Sequence, residues 1–566
     1  MSNANYMYVD GMPVVIDGEK NLLQVIRKTG VKLPTFCYHT SLSTYGACRM
    51  CMVEDERGTL YTACSTPPKA GMNIKTNTAR LRKYRKNILE LLLANHCRDC
   101  TTCANNKSCK LQDLAARFNI EGVRFPNHAE DNKVTNGSDS IVFDSSKCIL
   151  CGDCVRTCHE VQNVGAIDFA FRGSKMLIST AFGKPLSETM CVGCGQCAIA
   201  CPTGAIMSRS SSKKVWEAIS DPSVKTVVQV APAVRVALGN MEGIEEGKDV
   251  SPLLFAALRK MGFDEVYDTS FGADITVIEE SKEFLSRLAS GEKLPIITSC
   301  CPAWIQYCEK RHPELLPNVS TCRSPMEMLA SVIAQERQTE GKKLFQVAIM
   351  PCTAKKFEAK RPELVGPDGQ PLVDAVITTA ELVSMLKEAG LQLKDLDPEP
   401  VDPAYGSPSG AGIIFGVTGG VTEAVLRNVV QDKSRASLLK LSNVGERGNE
   451  GIKIFELSTD DGVALRLGVA SGLANAEKLL GRLKAGEKFD IIEIMACPGG
   501  CVAGGGQPFV HYDIRKTRGK GLYETDKLLT IRNSERNASV AALYERLLKG
   551  REHELLHVEY KAGGKN

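Results

Sequence analysis

The 23 cysteines are the residues of this chain whose type and spacing most directly indicate chemistry. Sixteen of them precede residue 202 in four groups of four, and the other seven lie between residues 300 and 501. The first residues, MSNANYMYVDGMP, contain no export signal. We therefore expect a cytoplasmic protein whose thiols are reduced and bind metal rather than form disulfides.

Two runs of four cysteines have the spacing of a two-cluster bacterial ferredoxin, in which the fourth cysteine of each run binds the other cluster. Pro202 follows the second run, whereas His159 stands where the first run would normally have proline. This pattern predicts two 4Fe-4S centres, one on Cys148, Cys151, Cys154 and Cys201, the other on Cys191, Cys194, Cys197 and Cys158.

The first group of cysteines indicates a smaller cluster. Short β-like runs, NYMYVDGMPVVID and TLYTAC, flank an amphipathic helix, LLQVIRKTG, which predicts a β-grasp domain. A 2Fe-2S centre fits its four thiols, although their spacing departs from the plant-type pattern and leaves a structural zinc site as the alternative. The predicted ligands are Cys37, Cys48, Cys51 and Cys64.

The second group combines three cysteines with a histidine and follows a helical run, LRKYRKNILELLLANH. A lone histidine is usually structural, but this one is separated by only three residues from a C-x2-C-x5-C array. With the first group, the array resembles the N-terminal domains of the large subunit of bacterial NADH-quinone oxidoreductase and of the longer FeFe hydrogenases. The resemblance implies a 4Fe-4S cluster on His96, Cys100, Cys103 and Cys109, with Cys97 as a bystander.

Residues 211–566 change character, because apolar strand-like runs alternate with amphipathic helices such as SPLLFAALRKMGF. This alternation predicts an α/β domain with a largely parallel sheet. Ligands of such folds gather at the carboxyl ends of the strands. The runs PIITSCC, FQVAIMPC and FDIIEIMAC all end in cysteine, so their thiols and Cys501 are candidates for one buried site.

Three long motifs carry a resemblance to the FeFe hydrogenases, closest to the long clostridial type with four accessory clusters. They are TSCCPAW from Thr298, MPCTAKKFE from Met350 and EIMACPGGCVAGGGQP from Glu493. The resemblance implies a multidomain α+β and α/β protein. Its predicted domains are the β-grasp domain (1–80), the His/Cys cluster domain (81–126), the two-cluster ferredoxin domain (140–210) and the catalytic domain (211–566).

The family carries an H-cluster, a 4Fe-4S cubane bridged to a diiron subsite with CO, cyanide and azadithiolate ligands. On this chain the resemblance implies Cys301, Cys352, Cys497 and Cys501 as cubane ligands, with Cys501 also bridging to the diiron unit. It places the ammonium of Lys355 beside a cyanide. The other implied contacts of the diiron unit are Met350, Met495, Ala231, Pro232 and Phe415.

A proton path is also implied, beginning at the non-ligand thiol of Cys300. Glu280 and Glu283 share one helix face at i and i+3, and Arg287 lies four residues after Glu283. Alone, this spacing more often marks a solvated charged face. Residues that match the proton path of the family nevertheless occur in the family's order, and this favours a proton relay instead. They are Glu280, Glu283, Arg287, Cys300 and Ser320.

The implied activity is reversible oxidation of H2 to protons. Its electron partner is ferredoxin or, alternatively, the flavin- and NAD(P)-binding subunits of a bifurcating complex, because the chain has no Gly-rich dinucleotide motif. Maturation factors would supply the diiron subsite. Ala233 and Met326 depart from residues common in the family, which leaves catalytic bias and oxygen tolerance open.

Other classes of protein explain less of the sequence. A non-catalytic electron-transfer subunit would lack the three motifs, a hydrogen sensor would carry an output domain, and an iron–sulfur assembly relative would lose relay residues. A net charge of +4 argues against nucleic-acid binding. No run of 18 apolar residues suggests a membrane span.

Overall fold

The computed structural model describes residues 5–129, 134–239, 243–337, 341–366, 368–429, 451–458, 464–508 and 514–562. No described helix has the length and apolar character needed to cross a bilayer.

The N-terminal unit is a five-stranded sheet covered by one helix, as the β-grasp prediction requires. Across the sheet the strands are Met12–Val15, Tyr6–Val9, Asn73–Lys75, Met52–Asp55 and Leu60–Thr62. The helix Leu22–Lys28 begins at Asn21, whose side chain accepts a hydrogen bond from the N–H of Gln24. Its apolar face packs on the sheet and closes a small core.

The next segment is helical. It contains the helix Ala79–Ala94, a 3-10 turn at Cys100–Thr102 and the helix Lys110–Arg117. The buried guanidinium of Arg85 donates to the carbonyls of Met50 (3.2 Å) and Met52 (2.6 Å). This long helix is therefore fixed against the cysteine loop of the β-grasp unit.

The ferredoxin-like unit repeats one local design. Its α-helices, Asp153–Arg156 and Gln196–Ala200, each begin after a glycine with positive φ, Gly152 (73°) or Gly195 (69°). A side chain is strained in that conformation, so glycine lets the chain turn between the second and third cysteines of each run. A three-stranded sheet and a hairpin complete the unit: Ile206–Ser208, Ile141–Asp144 and Thr135–Gly137; Asp168–Ala170 and Leu177–Ser179.

The C-terminal half contains two four-stranded sheets rather than the single sheet expected. The first is parallel, in the order Glu265–Asp268, Val224–Val230, Lys343–Met350 and Ala375–Thr378. The second runs Ile296–Ile297, Ile491–Met495, Ala464–Ser471 and Ile452–Ser458, with only the last strand antiparallel. Hydrophobic periodicity identifies strands but not their pairing partners, so the division into two sheets was not predicted.

Helices cover both sheets, which explains why the strand interiors are apolar on both faces. The longest, Thr269–Ser290, begins at Asp268, whose carboxylate accepts from the N–H of Ser270. The other α-helices are Ser212–Ser220, Ser251–Met261, Pro302–Arg311, Pro325–Arg337, Lys355–Glu358, Thr379–Glu388, Gly410–Ile414, Gly420–Val429, Leu473–Lys484, Arg515–Leu528, Ala538–Leu543 and Glu552–Leu556.

Candidate functional site

Four parallel strands of the two sheets deliver the predicted residues to one place. Each strand ends just before a segment of the site: Val230 before Ala231, Ile297 before TSCC, Met350 before Pro351 and Cys352, and Met495 before Ala496 and Cys497. These ends surround one cavity, which together with its opening to solvent contains about 720 Å³ of empty space. The rule that ligands gather at carboxyl strand ends therefore holds across both sheets.

The cavity brings together all of the residues proposed for the H-cluster pocket. They are Cys300, Cys301, Cys352, Cys497, Cys501, Lys355, Met350, Met495, Ala231, Pro232 and Phe415. The two departures, Ala233 and Met326, also line it. Sequence reasoning missed Thr269, which follows the strand Glu265–Asp268 and could have been found by the same strand-end rule.

Close backbone approach shapes the thiol-bearing loops. A Cβ on Gly504 would overlap the carbonyl oxygen of Pro351, so only glycine lets the Cys501 loop reach the Cys352 loop. The N–H of Ala496 points at the Sγ of Cys301, 3.4 Å away. Four converging thiols suit a 4Fe-4S cubane, and the neighbouring space between Met350, Met495 and Phe415 is apolar. The residues present therefore fit the H-cluster.

Lys355 supplies the positive charge of the cavity. Its Nζ donates to Oε2 of Glu358 at 2.5 Å and to the carbonyl of Cys300 at 3.4 Å. Burial lowers the pKa of this ammonium most strongly, but the charge and hydrogen bond of Glu358 outweigh burial and leave the pKa raised. Lys355 therefore stays protonated and can donate to an anion in the cavity.

The predicted relay residues lie behind Cys300. The hydroxyl of Ser320 donates to Oε2 of Glu283 at 2.8 Å, and Arg287 donates to Oε1 of Glu283 at 2.5 Å. Among the described residues no direct hydrogen bond joins Cys300 to Glu280, and Oε2 of Glu280 is buried without a partner. A free buried carboxyl oxygen is chemically suited to a proton-transfer group.

Burial controls the protonation of this region. It raises the pKa of Glu280 to about 8, and the nearby charge of Glu283 acts in the same direction. Burial also raises the pKa of the Cys300 thiol well above its ordinary value, with the charge of Glu280 adding to the effect. Both groups are therefore protonated and neutral near pH 7.

Two buried carboxyl groups near the site were missed by sequence reasoning. Glu493 accepts from the N–H groups of Gly419 (2.6 Å) and Thr422 (2.9 Å). Both oxygens of Glu327 are buried without a partner among the described residues, and burial raises the pKa of Glu327 well above its usual range. Glu327 lies on the helix Pro325–Arg337, where spacing alone does not separate a buried carboxyl from a surface one. Glu493 lies inside the apolar strand Ile491–Met495, and a carboxyl within such a run was the signal that could have identified it.

The ferredoxin-like unit encloses two further cavities. One is lined by Cys148, Cys151, Cys154 and Cys201, which is the first predicted ligand set. The other is lined by Cys158, Cys191 and Cys197. Burial raises the pKa of Cys194, the fourth member of the second set, and the nearby charges of Cys191 and Cys158 add to this effect, so Cys194 lies close to both. Each predicted set therefore converges on one space that suits a 4Fe-4S cluster.

The fold also brings together side chains of the two ligand sets predicted in the N-terminal domains. Cys37 and Cys48 lie together, since the N–H of Cys48 points at the Sγ of Cys37 at 3.4 Å, and Cys51 lies beside Cys64. In the second group, Nε2 of His96 is buried without a hydrogen-bond partner among the described residues. A buried, unpartnered ring nitrogen suits an iron ligand.

Hydrogen bonds and a close contact link each candidate cluster site to the next. The side chain of Gln196 donates to the carbonyl of Ala503 at 2.9 Å, and Thr353 donates to the carbonyl of Gly193 at 2.6 Å. These bonds join the second ferredoxin-like site to the H-cluster pocket. At the other end, Arg156 donates to the carbonyl of Cys37 at 2.8 Å, and Gly204 lies against the Sγ of Cys103.

Comparison with known proteins agrees with this layout. Residues 224–505 match the family described as iron only hydrogenase large subunit, C-terminal domain, and residues 512–563 match the iron hydrogenase small subunit. The chain is 40% identical to the NADP-reducing hydrogenase subunit HndD of Solidesulfovibrio fructosivorans, over 98% of each chain. The chain belongs to the FeFe hydrogenase family. It is also 35% identical to iron hydrogenase 1 of Clostridium pasteurianum, over 98% of this chain and 99% of that one.

The iron–sulfur domains of this family member match as well. Residues 6–79 match a 2Fe-2S iron-sulfur cluster binding domain, residues 85–124 the NADH-ubiquinone oxidoreductase-G iron-sulfur binding region, and residues 147–205 a 4Fe-4S dicluster domain. A solved structure of the apo FeFe hydrogenase HydA1 variant from Chlamydomonas reinhardtii is 37% identical, with a TM-score of 0.54. It covers 63% of this chain and 100% of that one.

Proposed function

We propose that this enzyme catalyses the reversible oxidation of H2 at an H-cluster held in the strand-end cavity. The observation that carries the proposal is the convergence of Cys301, Cys352, Cys497 and Cys501 from separate segments onto one cavity. The non-ligand thiol of Cys300 and the ammonium of Lys355 share that cavity. When bound, the H-cluster supplies an iron site that binds and polarises H2 and exchanges electrons with the accessory clusters.

The protein holds the diiron unit mainly by packing and hydrogen bonding, because only Cys501 would join it covalently to the chain. Lys355 would donate a charge-assisted hydrogen bond to an anionic ligand of that unit. Met350, Met495 and Phe415 would exclude water around it, and Ala231 and Pro232 line the same cavity. Exclusion of water strengthens each of these polar contacts.

Protons travel from Cys300 through Glu280, Ser320 and Glu283. A bound water is needed between Cys300 and Glu280, because no direct hydrogen bond joins them among the described residues. Arg287 has a different role. Four of its five N–H groups donate to Glu283 and to three backbone carbonyls. It therefore positions Glu283 rather than carrying a proton.

Electrons follow the contacts between sites. A cluster held by Cys158, Cys191, Cys194 and Cys197 would exchange electrons with the H-cluster, and one held by Cys148, Cys151, Cys154 and Cys201 would exchange them with the N-terminal clusters. Because the β-grasp and His96 sites both border the latter centre, the chain would have two terminal clusters. We propose the domain boundaries 1–80, 81–126, 140–210 and 211–566 for these units.

The electron partner is proposed to be an NAD(P)-linked assembly. HndD is named as a subunit of an NADP-reducing hydrogenase, and it aligns with the whole of this chain. Partner subunits would then bind flavin and NAD(P). Ferredoxin remains the alternative electron acceptor. The cytoplasmic location and the need for maturation factors stay predictions.

Anoxic purification from native cells, followed by measurement of the subunit masses, distinguishes the NAD(P)-linked assembly from a free-standing enzyme. A single polypeptide that reduces ferredoxin would contradict the assembly.

Infrared spectroscopy of anaerobically matured protein tests the active site. We expect bands of metal-bound CO and cyanide together with H2 turnover, and loss of both in Cys501→Ala. Cys308→Ala is the matched control, since this thiol is buried outside the cavity. Bands without turnover would indicate a hydrogen sensor, and full turnover in Cys501→Ala would contradict the proposed site.

A further inference from the structure

The outer end of the proposed relay contains a second set of metal-binding side chains. Glu283, Cys322 and His557 each offer one ligand atom, and these three atoms lie within 4.8 Å of one another. Glu283 comes from the long helix, Cys322 from the segment after Ser320, and His557 from the C-terminal tail. The Sγ of Cys322 lies 3.8 Å from Oε2 of Glu283. Tetrahedral zinc ligands are separated by about 3.5 Å, given zinc–ligand bonds of roughly 2.0–2.3 Å.

The backbone holds two of these residues opposite each other. Cys322 and His557 form an antiparallel β-bridge, flanked by hydrogen bonds from the N–H of Arg323 to Leu556 (2.8 Å) and from the N–H of Val558 to Thr321 (2.7 Å). Directly opposed residues of an antiparallel pair have Cβ atoms about 4.5–5.5 Å apart. The thiol and the imidazole are therefore brought together by the fold.

The ring of His557 is oriented as in a metal site. Its Nε2 lies 3.2 Å from Oε2 of Glu279. Glu279 accepts the proton of Nε2 in this contact, which leaves a lone pair on Nδ1. In this structure that lone pair accepts a hydrogen bond from the hydroxyl of Thr321 at 2.8 Å, so a bound cation would replace this hydroxyl. Histidine ligands of metals usually donate their other N–H to a carboxylate in this way.

We propose that Glu283, Cys322 and His557 form a binding site for a borderline divalent cation, with Zn²⁺ preferred over Mg²⁺ and Ca²⁺. One thiolate, one imidazole and one carboxylate suit zinc, whereas magnesium and calcium require mainly oxygen ligands. Glu283 and His557 keep 13% and 12% of their side chains exposed, so an ion can enter from solvent. Binding replaces the thiol proton of Cys322 by the metal and releases that proton.

The site has a consequence for turnover that rests on the proposed proton path. A cation on Oε2 of Glu283 takes the lone pairs that accept the hydrogen bond from Ser320. Proton transfer past Glu283 then stops. The bound cation therefore inhibits hydrogen turnover without touching the H-cluster pocket.

The test is equilibrium dialysis of the anoxic holoenzyme against zinc chloride in a non-chelating buffer. Zinc and iron are measured by elemental analysis, and the zinc ligands by X-ray absorption. We expect one tight zinc per chain with one sulfur at about 2.3 Å and lighter ligands at about 2.0 Å. Cys322→Ala and His557→Gln should each weaken binding at least tenfold.

Two matched controls should keep full affinity. Cys308→Ala removes another buried free thiol, and His553→Gln removes the ring that stacks on His557 at 5.4 Å. Affinity in Cys322→Ala and His557→Gln within twofold of the unaltered enzyme overturns the site. Four sulfur ligands with a loss of iron also overturn it, because zinc would then occupy a cluster site. If Cys322→Ala fails to fold, the zinc affinity of His557→Gln decides whether the site exists, provided that this variant has a normal iron content.

Hydrogen turnover distinguishes this site from the proposed function. Inhibition by zinc that a chelator reverses, and that disappears in His557→Gln, supports both the site and the relay. Zinc bound by these three ligands without inhibition supports the site and contradicts the role of Glu283.

Discussion

Arg287 donates from Nη2 to Oε1 of Glu283 at 2.5 Å, and the same guanidinium donates to the backbone carbonyls of Lys293, Asn318 and Val319. Four acceptors therefore fix one side chain, which in turn fixes the carboxylate that accepts from Ser320. These contacts indicate that Arg287, which the sequence placed in the relay, positions Glu283.

Arg287→Met should slow hydrogen turnover about 10- to 100-fold, because Glu283 loses the donor that orients it. Iron content and the infrared bands should not change, and Arg287→Lys should restore part of the rate. The measurement is H2 oxidation with an artificial acceptor in H2O and D2O. The solvent isotope effect should increase if proton transfer has become limiting, whereas an unchanged isotope effect would mean that the loss is only structural.

Glu280→Gln should lose most of the hydrogen turnover, yet at alkaline pH it should be more stable relative to the unaltered enzyme than at acidic pH. The carboxyl has a pKa of about 8 in the folded protein and roughly 4.3 when unfolded. Between these values folding takes up a proton, so the stability of the unaltered enzyme falls as pH rises towards 8 and then levels off. Glutamine is neutral throughout, so the Tm of the variant relative to the unaltered enzyme should rise from pH 5 to pH 8.

Turnover should drop at least about 100-fold in Glu280→Gln, since an amide cannot pass the proton on. Glu477→Gln is the control, because this partly exposed carboxyl accepts from Tyr307 outside the site. A Tm difference that is the same at pH 5 and pH 8 would contradict the raised pKa of Glu280.

His96→Ala should remove one 4Fe-4S cluster, seen as about four fewer iron atoms per chain. His96→Cys should retain the cluster but lower its reduction potential, because a thiolate adds negative charge. Electron paramagnetic resonance during a redox titration measures both effects. Cys97→Ala is the neighbouring control, and it should keep the iron. Loss of iron in Cys97→Ala but not in His96→Ala would exchange the roles of the two residues.

Gly505→Ala should slow electron transfer between the second ferredoxin-like centre and the H-cluster. A Cβ at this position would overlap the carbonyl oxygen of Cys194, so the two loops must separate. We expect the CO and cyanide bands to persist while H2 reduces the accessory clusters more slowly. Gly481→Ala is the control, since its Cβ meets open space in a helix and should add about 1 kcal/mol of stability. Equal rates in both variants would contradict the proposed electron route.

The local groups of cysteines were predictable because their residues are close in sequence. Cys148, Cys151 and Cys154 line one cavity at fixed spacing, and glycine at position 152 gives the turn that the spacing requires. The strand-end cysteines were predictable for a related reason, since buried strands have a recognisable apolar pattern and ligands gather where they end.

The sequence by itself determined the family, the cluster motifs and the strand ends on which the active site is built. Tertiary structure alone decided that two sheets share the site, that Arg287 holds Glu283, and that His557 meets Cys322 across a β-bridge. Cys322 and His557 are separated by more than 200 residues. No local pattern records such a contact, because pairing between distant segments is selected by the burial and hydrogen bonding of the whole folded chain.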